Sequence, residues 1–193
     1  MARFVGHLLD MTGLEAGSVQ LTREATDISD VIGTAVHRTE KLFNDFKIRM
    51  DIELGLPLLE LDQMLAEQVL VNLLDNAAKY APPSSTITIR ARRSEGVVRL
   101  QVIDEGPGIP QDQLDLIFEK FHRVKDRDHQ RAGTGLGLAI CRGFVAAMGG
   151  TIKAANRADR SGALFTVELP IASATVEKRE AVAASGRIGD QSR

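Results

Sequence analysis

Ile87, Ile89 and Ala91 alternate with Thr88, Arg90 and Arg92, and beyond Glu95-Gly96 the alternation returns, with Val98, Leu100 and Val102 set against Arg99 and Gln101. Successive side chains of a strand point to opposite faces, so each run predicts a strand with one face on a core and the other in water. The Glu95-Gly96 junction is short enough to make the two strands hairpin neighbours. A sheet with one apolar face must be covered on that side, and the chain supplies three helical segments to do so. The first runs from about residue 28 to residue 43 behind an N-cap at Thr26-Asp27. The second starts at Asp62, itself a capping residue, and reaches about Lys79, where Pro82-Pro83 stops it. The third spans about 136–148 and ends at Gly149-Gly150. Further strands are expected over 47–53, 151–155 and 163–169, and a short helix over about 112–118. Hairpin strands mixed with helices predict an α+β two-layer sandwich with a mixed, mostly antiparallel sheet, not a parallel doubly wound one.

Length and charge narrow the classes of function. A chain of 193 residues suits one domain of ordinary size, able to bury a core without metal or disulfide help. With 24 Lys and Arg against 26 Asp and Glu the net charge is −2. That leaves no positive field for nucleic acid or an anionic membrane, and neither is an expected partner. The single cysteine, Cys141, excludes an intrachain disulfide or a Cys-rich zinc site and suits a reducing compartment. Its place in the last helix reads as a small packed residue. The longest apolar stretch, 136–148, carries Arg142 and is too short for a bilayer. Arg3, His7 and Asp10 interrupt the run a signal peptide would need. The expectation is a soluble, cytoplasmic chain without direct membrane contact.

Three outlying segments read differently. Over 1–17, Phe4, Leu8, Met11 and Leu14 recur at helical spacing, and this helix starts so abruptly at Met1 that it reads as the end of a longer one. Residues 123–132 are charge-rich and aperiodic, as in a mobile loop. From Ser173 onward the composition is that of a disordered tail.

Three places carry chemistry. On the helix from Asp62, at about 100° per residue, Asn72, Asn76 and Lys79 fall within about 60° of one another, away from Leu70, Val71, Leu73, Leu74 and Ala77. A solvated face would explain the stripe, but asparagine is a poor choice in a helix. An amide oxygen is a hard ligand suited to Mg²⁺, and a lysine neutralises phosphate. At a strand end, Asp104-Glu105-Gly106-Pro107-Gly108-Ile109-Pro110 is either a tight turn or a carboxylate placed to accept from an exocyclic amine, with glycines admitting a flat base. Gly133-Thr134-Gly135-Leu136-Gly137-Leu138 opens a helix, where exposed amides and the helix dipole favour phosphate. It is neither a dinucleotide GxGxxG nor a P-loop.

The order and spacing of these signals are more telling than any one of them. Asn72…Asn76-Ala77-Ala78-Lys79-Tyr80, the Asp104 loop, Phe118-Glu119-Lys120-Phe121 and the Gly133 loop resemble the N, G1, F and G2 boxes of sensor histidine kinases. These belong to the ATP-binding superfamily that includes gyrase, Hsp90 and MutL, whose domain is the Bergerat-type sandwich. Leu8 to Gly17 further resembles the end of the dimerisation helix in Kdp-type, potassium-responsive sensor kinases. The resemblance implies a dimerisation remnant at 1–17, an ATP-binding catalytic domain at 18–172 and a tail at 173–193.

By the same resemblance, Asn76 is the Mg²⁺ ligand, Asn72 its neighbour on the phosphate side, Lys79 a phosphate contact, and Tyr80 lies against the nucleotide. Asp104 accepts the adenine amino group, with Gly106, Gly108 and Ile109 shaping that pocket. Arg123 reaches the transferable phosphate, 123–132 is the lid, and Thr134, Gly135, Leu136, Gly137 and Leu138 supply backbone donors. Asn72, Lys79 and Arg123 are the implied catalytic set, with ATP and Mg²⁺ as cofactors. Such a set neutralises charge and positions a phosphoryl group for transfer. The ATPase branches place a glutamate at position 72 as general base for water. Asn72 cannot serve so, and Glu67, about 140° around the helix, is not expected to substitute. The acceptor histidine of the family sits in a motif that His7, His37, His122 and His129 do not match. The implied partners are therefore a dimerisation segment bearing that histidine and a response regulator. A nucleotide-binding regulatory module and an ATP-hydrolysing clamp are the alternatives. Leu116, Ile117, Phe118 and Phe121 are expected to divide between core and docking patch.

Overall fold

The computed structural model describes residues 21–124 and 134–171. The helix expected over 1–17, most of the loop expected over 123–132 and the tail expected from residue 173 lie outside them. In chain order the elements are β1 (Glu24–Thr26), α1 (Ile28–Thr39), β2 (Lys47–Ile52), β3 (Leu59–Leu61), α2 (Gln63–Tyr80), β4 (Thr86–Ser94), β5 (Val97–Ile103), α3 (Gly137–Ala147), β6 (Thr151–Asn156) and β7 (Ala163–Pro170).

Five strands form the main sheet in the order β2-β4-β5-β7-β6. β2 and β4 run parallel, with β3 and α2 as their crossover, and the other neighbours are antiparallel. The register sets apolar residue against apolar residue on one face. Ile89 faces Val102, Ala91 faces Leu100, and these two β5 residues face Phe165 and Val167 of β7. All are buried. The helices cover this face, α1 against α2 and α2 against α3. On the other face, Arg90 and Arg92 pair with Asp51 of β2, and Arg99 pairs with Glu168. The architecture is thus the α+β two-layer sandwich with a mostly antiparallel sheet that the alternation predicts.

Helix ends follow the chain's local chemistry. Asp27 caps α1 by accepting from the Ser29 amide at 2.7 Å. Helix α1 stops at Thr39, sooner than expected, and a 3₁₀ turn at Glu40–Leu42 carries the chain on to buried Phe43. Asp62 does two things at once: Oδ1 accepts from the Leu65 amide at 3.1 Å and Oδ2 from the Thr22 amide at 3.0 Å. Residue Ala81 is already extended, with ψ 147°, as the residue before a proline prefers.

Two expectations need correction. The short helix at 112–118 is instead two 3₁₀ turns, Gln111–Gln113 and Leu116–Phe118. Their amides reach back three residues, Gln113 to Pro110 and Glu119 to Leu116, both at 2.9 Å. So short a segment gains too few bonds to propagate an α-helix. The strands β1 and β3, which pair antiparallel through Glu24–Leu61 and Thr26–Leu59, lie outside the sequence-based strand set. Three residues show no periodicity.

Candidate functional site

One cavity gathers residues from α2, the turn after β5, the segment before the undescribed stretch, the start of α3, and β7. From α2 come Asn72, Asn76, Lys79 and Tyr80, joined by Asp75. Asp104, Gly108 and Ile109 come from the turn, and Arg123 from the segment that follows the second 3₁₀ turn. Thr134, Gly135, Gly137 and Leu138 complete the set from the opening of α3. Residues separated by more than sixty positions in the chain therefore share one space.

The helix stripe is less uniform than its spacing suggests. Asn72 is buried, because the first turn of α3 packs over it: its Nδ2 points to the Gly137 carbonyl at 3.5 Å and its Oδ1 accepts from Gln68 at 3.3 Å. Asn76 lines the cavity half-buried, and its side-chain amide bonds no described residue. The Lys79 ammonium lies 2.6 Å from Asp75 Oδ2. Glu67 is turned elsewhere, toward Arg38 of α1 and Gln63.

Asp104 is the buried charge of the site, 3% exposed. Its Oδ1 accepts from the Gly106 amide at 2.7 Å and the Ala163 amide at 3.1 Å. No described residue donates to Oδ2. Burial pushes its carboxyl above the ordinary range, while the two amides and the nearby Arg157 pull the other way. The result is a carboxylate oxygen in a mostly apolar recess, ready to accept a hydrogen bond.

The glycines of this turn serve the protein's own packing first. A Cβ on Gly106 would come within 2.8 Å of Asp104 Oδ1 and 3.0 Å of the Tyr80 carbonyl oxygen, so Gly106 does not line the cavity but holds its shape. Gly108, at φ 76°, lets Ile109 exchange two bonds with Asn156, whose Oδ1 accepts at 2.7 Å and whose Nδ2 donates at 2.6 Å. Ser161 adds a bond to the Gly106 carbonyl at 2.7 Å. The β6–β7 hairpin thus holds the turn from behind.

Around α3, Leu136 departs from expectation. Its side chain is in the core and its amide is taken by Thr134 Oγ1 at 3.3 Å, so it contributes neither wall nor donor to the cavity. Gly137 and Leu138, in the first helical turn, do line it, where unpaired amides and the dipole favour an anion. Gly135 sits at φ 70° where an added Cβ would come within 2.8 Å of the Phe121 backbone, and the Phe121 amide donates to the Gly135 carbonyl at 3.0 Å. Among the four hydrophobic residues of the F box region, Ile117 and Phe118 are buried, and Leu116 and Phe121 are exposed.

The donor set fits a triphosphate carrying a hard cation. Among the described residues no cluster of three or more His, Cys, Asp or Glu stands ready for a metal. Asn76 would offer a divalent ion one amide oxygen, a hard ligand of the kind such an ion takes. The Asn76 side-chain amide and Asp104 Oδ2 are polar groups at the cavity that bond no described residue. Sequence reasoning missed Asp75, which shares the helix stripe and was there to be found, and His122. It also missed Ala163 and Phe165, brought in from β7 only by strand pairing.

Known proteins carry the same pattern. The sensor protein KdpD of Clostridium acetobutylicum is 37% identical over 171 residues, which is 88% of this chain and 19% of that protein. KdpD of Escherichia coli is 40% identical over 168 residues, 87% of this chain and 18% of that protein. This chain therefore spans about a fifth of the relatives it matches. Among solved structures, full-length ShkA in complex with AMPPNP superposes with a TM-score of 0.77 at 29% identity, over 87% of this chain and 35% of that one. No helix among the described residues is long and apolar enough to cross a membrane. The family model that matches residues 61–173 covers α2, the Asp104 turn and the α3 opening, the elements that build the cavity, and the chain belongs to that family, the histidine kinase-, DNA gyrase B- and HSP90-like ATPases.

Proposed function

We propose that this chain is the ATP-binding catalytic domain of a two-component sensor histidine kinase, of Kdp type, acting in the cytoplasm. Residues 18–172 form that domain, 1–17 the end of a dimerisation helix and 173–193 a tail. One observation carries the reading: Asp104 is buried, bonded through one oxygen to two amides and open through the other, in the cavity that Asn76 and Lys79 line.

Asp104 would accept the exocyclic amine of adenine, and the bonded turn behind it keeps that oxygen in place. Asn76 would hold Mg²⁺, which when bound offsets phosphate charge. Lys79 and Arg123 set positive charge toward the phosphates, and the amides of Gly137 and Leu138 orient them. Asn72 has no carboxylate to take a proton from water, so the γ-phosphate is kept for a histidine on a dimerisation segment, from which a response regulator would receive it. The buried place of Asn72 against the Gly137 carbonyl leaves no base there.

The test is calorimetry followed by labelling. The chain should bind ATP and ADP in Mg²⁺, and Asn76→Asp should weaken this sharply. Incubated alone with γ-labelled ATP it should stay unlabelled, and a separate dimerisation segment with its histidine should gain acid-labile label. Absence of adenine-nucleotide binding, or acid-labile label on this chain alone, would refute the assignment.

A further inference from the structure

We propose that Asp75 makes nucleotide binding depend on the divalent ion, by occupying the Lys79 ammonium until a metal-bound polyphosphate replaces it. The proposal rests on the nucleotide-binding reading of the cavity. At about 100° per residue, Asp75 falls on the same stripe as Asn72, Asn76 and Lys79, about 40° from Lys79. All four line the cavity. The Asp75 side chain is 17% exposed and that of Lys79 30%, and their 2.6 Å contact is of the i,i+4 type with the acid first, the favourable direction.

A site that only had to attract anions would gain nothing from a carboxylate in its phosphate wall. Here the carboxylate offsets the lysine's charge, and if the pair is parted it stands as a negative charge in the phosphate wall. Uncomplexed ATP would have to part the ion pair while meeting like charge at short range, in surroundings where water screens it only in part. A divalent ion among the phosphates would change this balance, because it offsets two of their negative charges and so lessens what Asp75 opposes. The ammonium can then turn to the phosphates without leaving Asp75 opposed by bare negative charge. Asp75 is in this sense a positioning residue, acting through Lys79 and through the field of the site.

The experiment measures affinity, not turnover. Wild-type chain, Asp75→Asn and Asp75→Glu are titrated calorimetrically with ATP and with ADP, once in Mg²⁺ and once in EDTA, and each melting temperature is recorded. Asp75→Asn is expected to tighten metal-free binding about tenfold, the size of one partly screened charge contact. The gain should be smaller in Mg²⁺, so that the gap between metal-free and Mg²⁺ affinity narrows, and Asp75→Glu should keep the wild-type ratio. If the amide variant is unstable, Asp75→Ala, a better helix former, gives the same reading. Metal-free affinity that is unchanged or weaker in the neutral variants overturns the proposal. So does a loss confined to Mg²⁺ conditions, which would make Asp75 a metal contact. Failure of the wild type to bind nucleotide in Mg²⁺ would instead remove the reading on which the proposal stands.

Discussion

Asp104 is a buried carboxylate bonded through one oxygen to two amides. Burial raises its carboxyl above the ordinary range, so the folded chain keeps that proton to a higher pH than the unfolded chain does. The group's contribution to stability is therefore greatest below the ordinary carboxylate pKa and is lost as pH rises through the raised one. At neutral pH the ionised form opposes folding, even with two amides bonded to it. Asp104→Asn keeps an oxygen for Gly106 and Ala163 and removes the charge. Its melting temperature should equal or exceed the wild type's at pH 7, and the gap should shrink toward pH 4. Nucleotide affinity should move the other way, falling by about 10–100-fold, since a bond to a charged acceptor is worth about 1.5–3 kcal/mol. Thermal melts and calorimetry on one preparation check both. A variant both unstable and weakly binding would make Asp104 a structural residue. Gly135 is constrained by backbone instead of charge. At φ 70°, with a Cβ position 2.8 Å from the Phe121 carbonyl carbon, Gly135→Ala should cost about 1–3 kcal/mol in denaturant unfolding.

Among the elements, the β6–β7 hairpin is the least expected part of the site. The turn after β5 reads from sequence as a tight turn, with two glycines for unusual backbone angles and two prolines to fix φ. In the fold it leans on Asn156 and Ser161, far along the chain. Removing the two bonds between Asn156 and Ile109 with Asn156→Ala should weaken ATP binding by about tenfold or less, since both bonds are exposed and lie at the low end of the roughly 0.5–1.5 kcal/mol net that such a bond is worth. Asn156 is exposed, so the melting temperature should change little. An equal loss of stability and affinity would show the hairpin serving the fold at large. The start of α1 and both ends of α2 were legible because capping residues, periodicity and the Pro82-Pro83 stop agree there, whereas no such stop marks the end of α1 at Thr39. The strands β1 and β3 were not, because only their partner across the chain makes either of them a strand. Asn72 shows the same limit within a helix whose placement was right. Its spacing put it on the polar stripe, yet it is buried, since helical phase says nothing of α3 closing over it.

The whole fold was readable to the extent that alternation and helical phase fix which face meets the core, and the sheet's inner register follows from them. What sequence could not give is how the cavity closes, since Ala163 and Phe165 enter it by pairing across the sheet. That closure makes ligand binding a property of the folded chain alone, and binding only the folded state stabilises it by mass action. At a free concentration of a hundred times Kd the gain is about 2.7 kcal/mol, which for a chain of this size means a rise in melting temperature of about 5–10 °C. Cys141 offers an independent reporter. It is fully buried on α3, its thiol points to the Val69 carbonyl of α2 at 3.7 Å, and burial pushes it up to about 12. It stays a protonated thiol in the folded protein and becomes reactive only when α3 leaves α2. Under conditions where opening and closing are fast relative to labelling, the labelling rate of Cys141 should fall by about a hundredfold at the same nucleotide concentration. Asp104→Asn should lose most of that protection while its rate without nucleotide stays at or below the wild-type value. Rapid labelling of the folded wild type, or protection that survives in Asp104→Asn, would show that α3 opens independently of the site it helps to form.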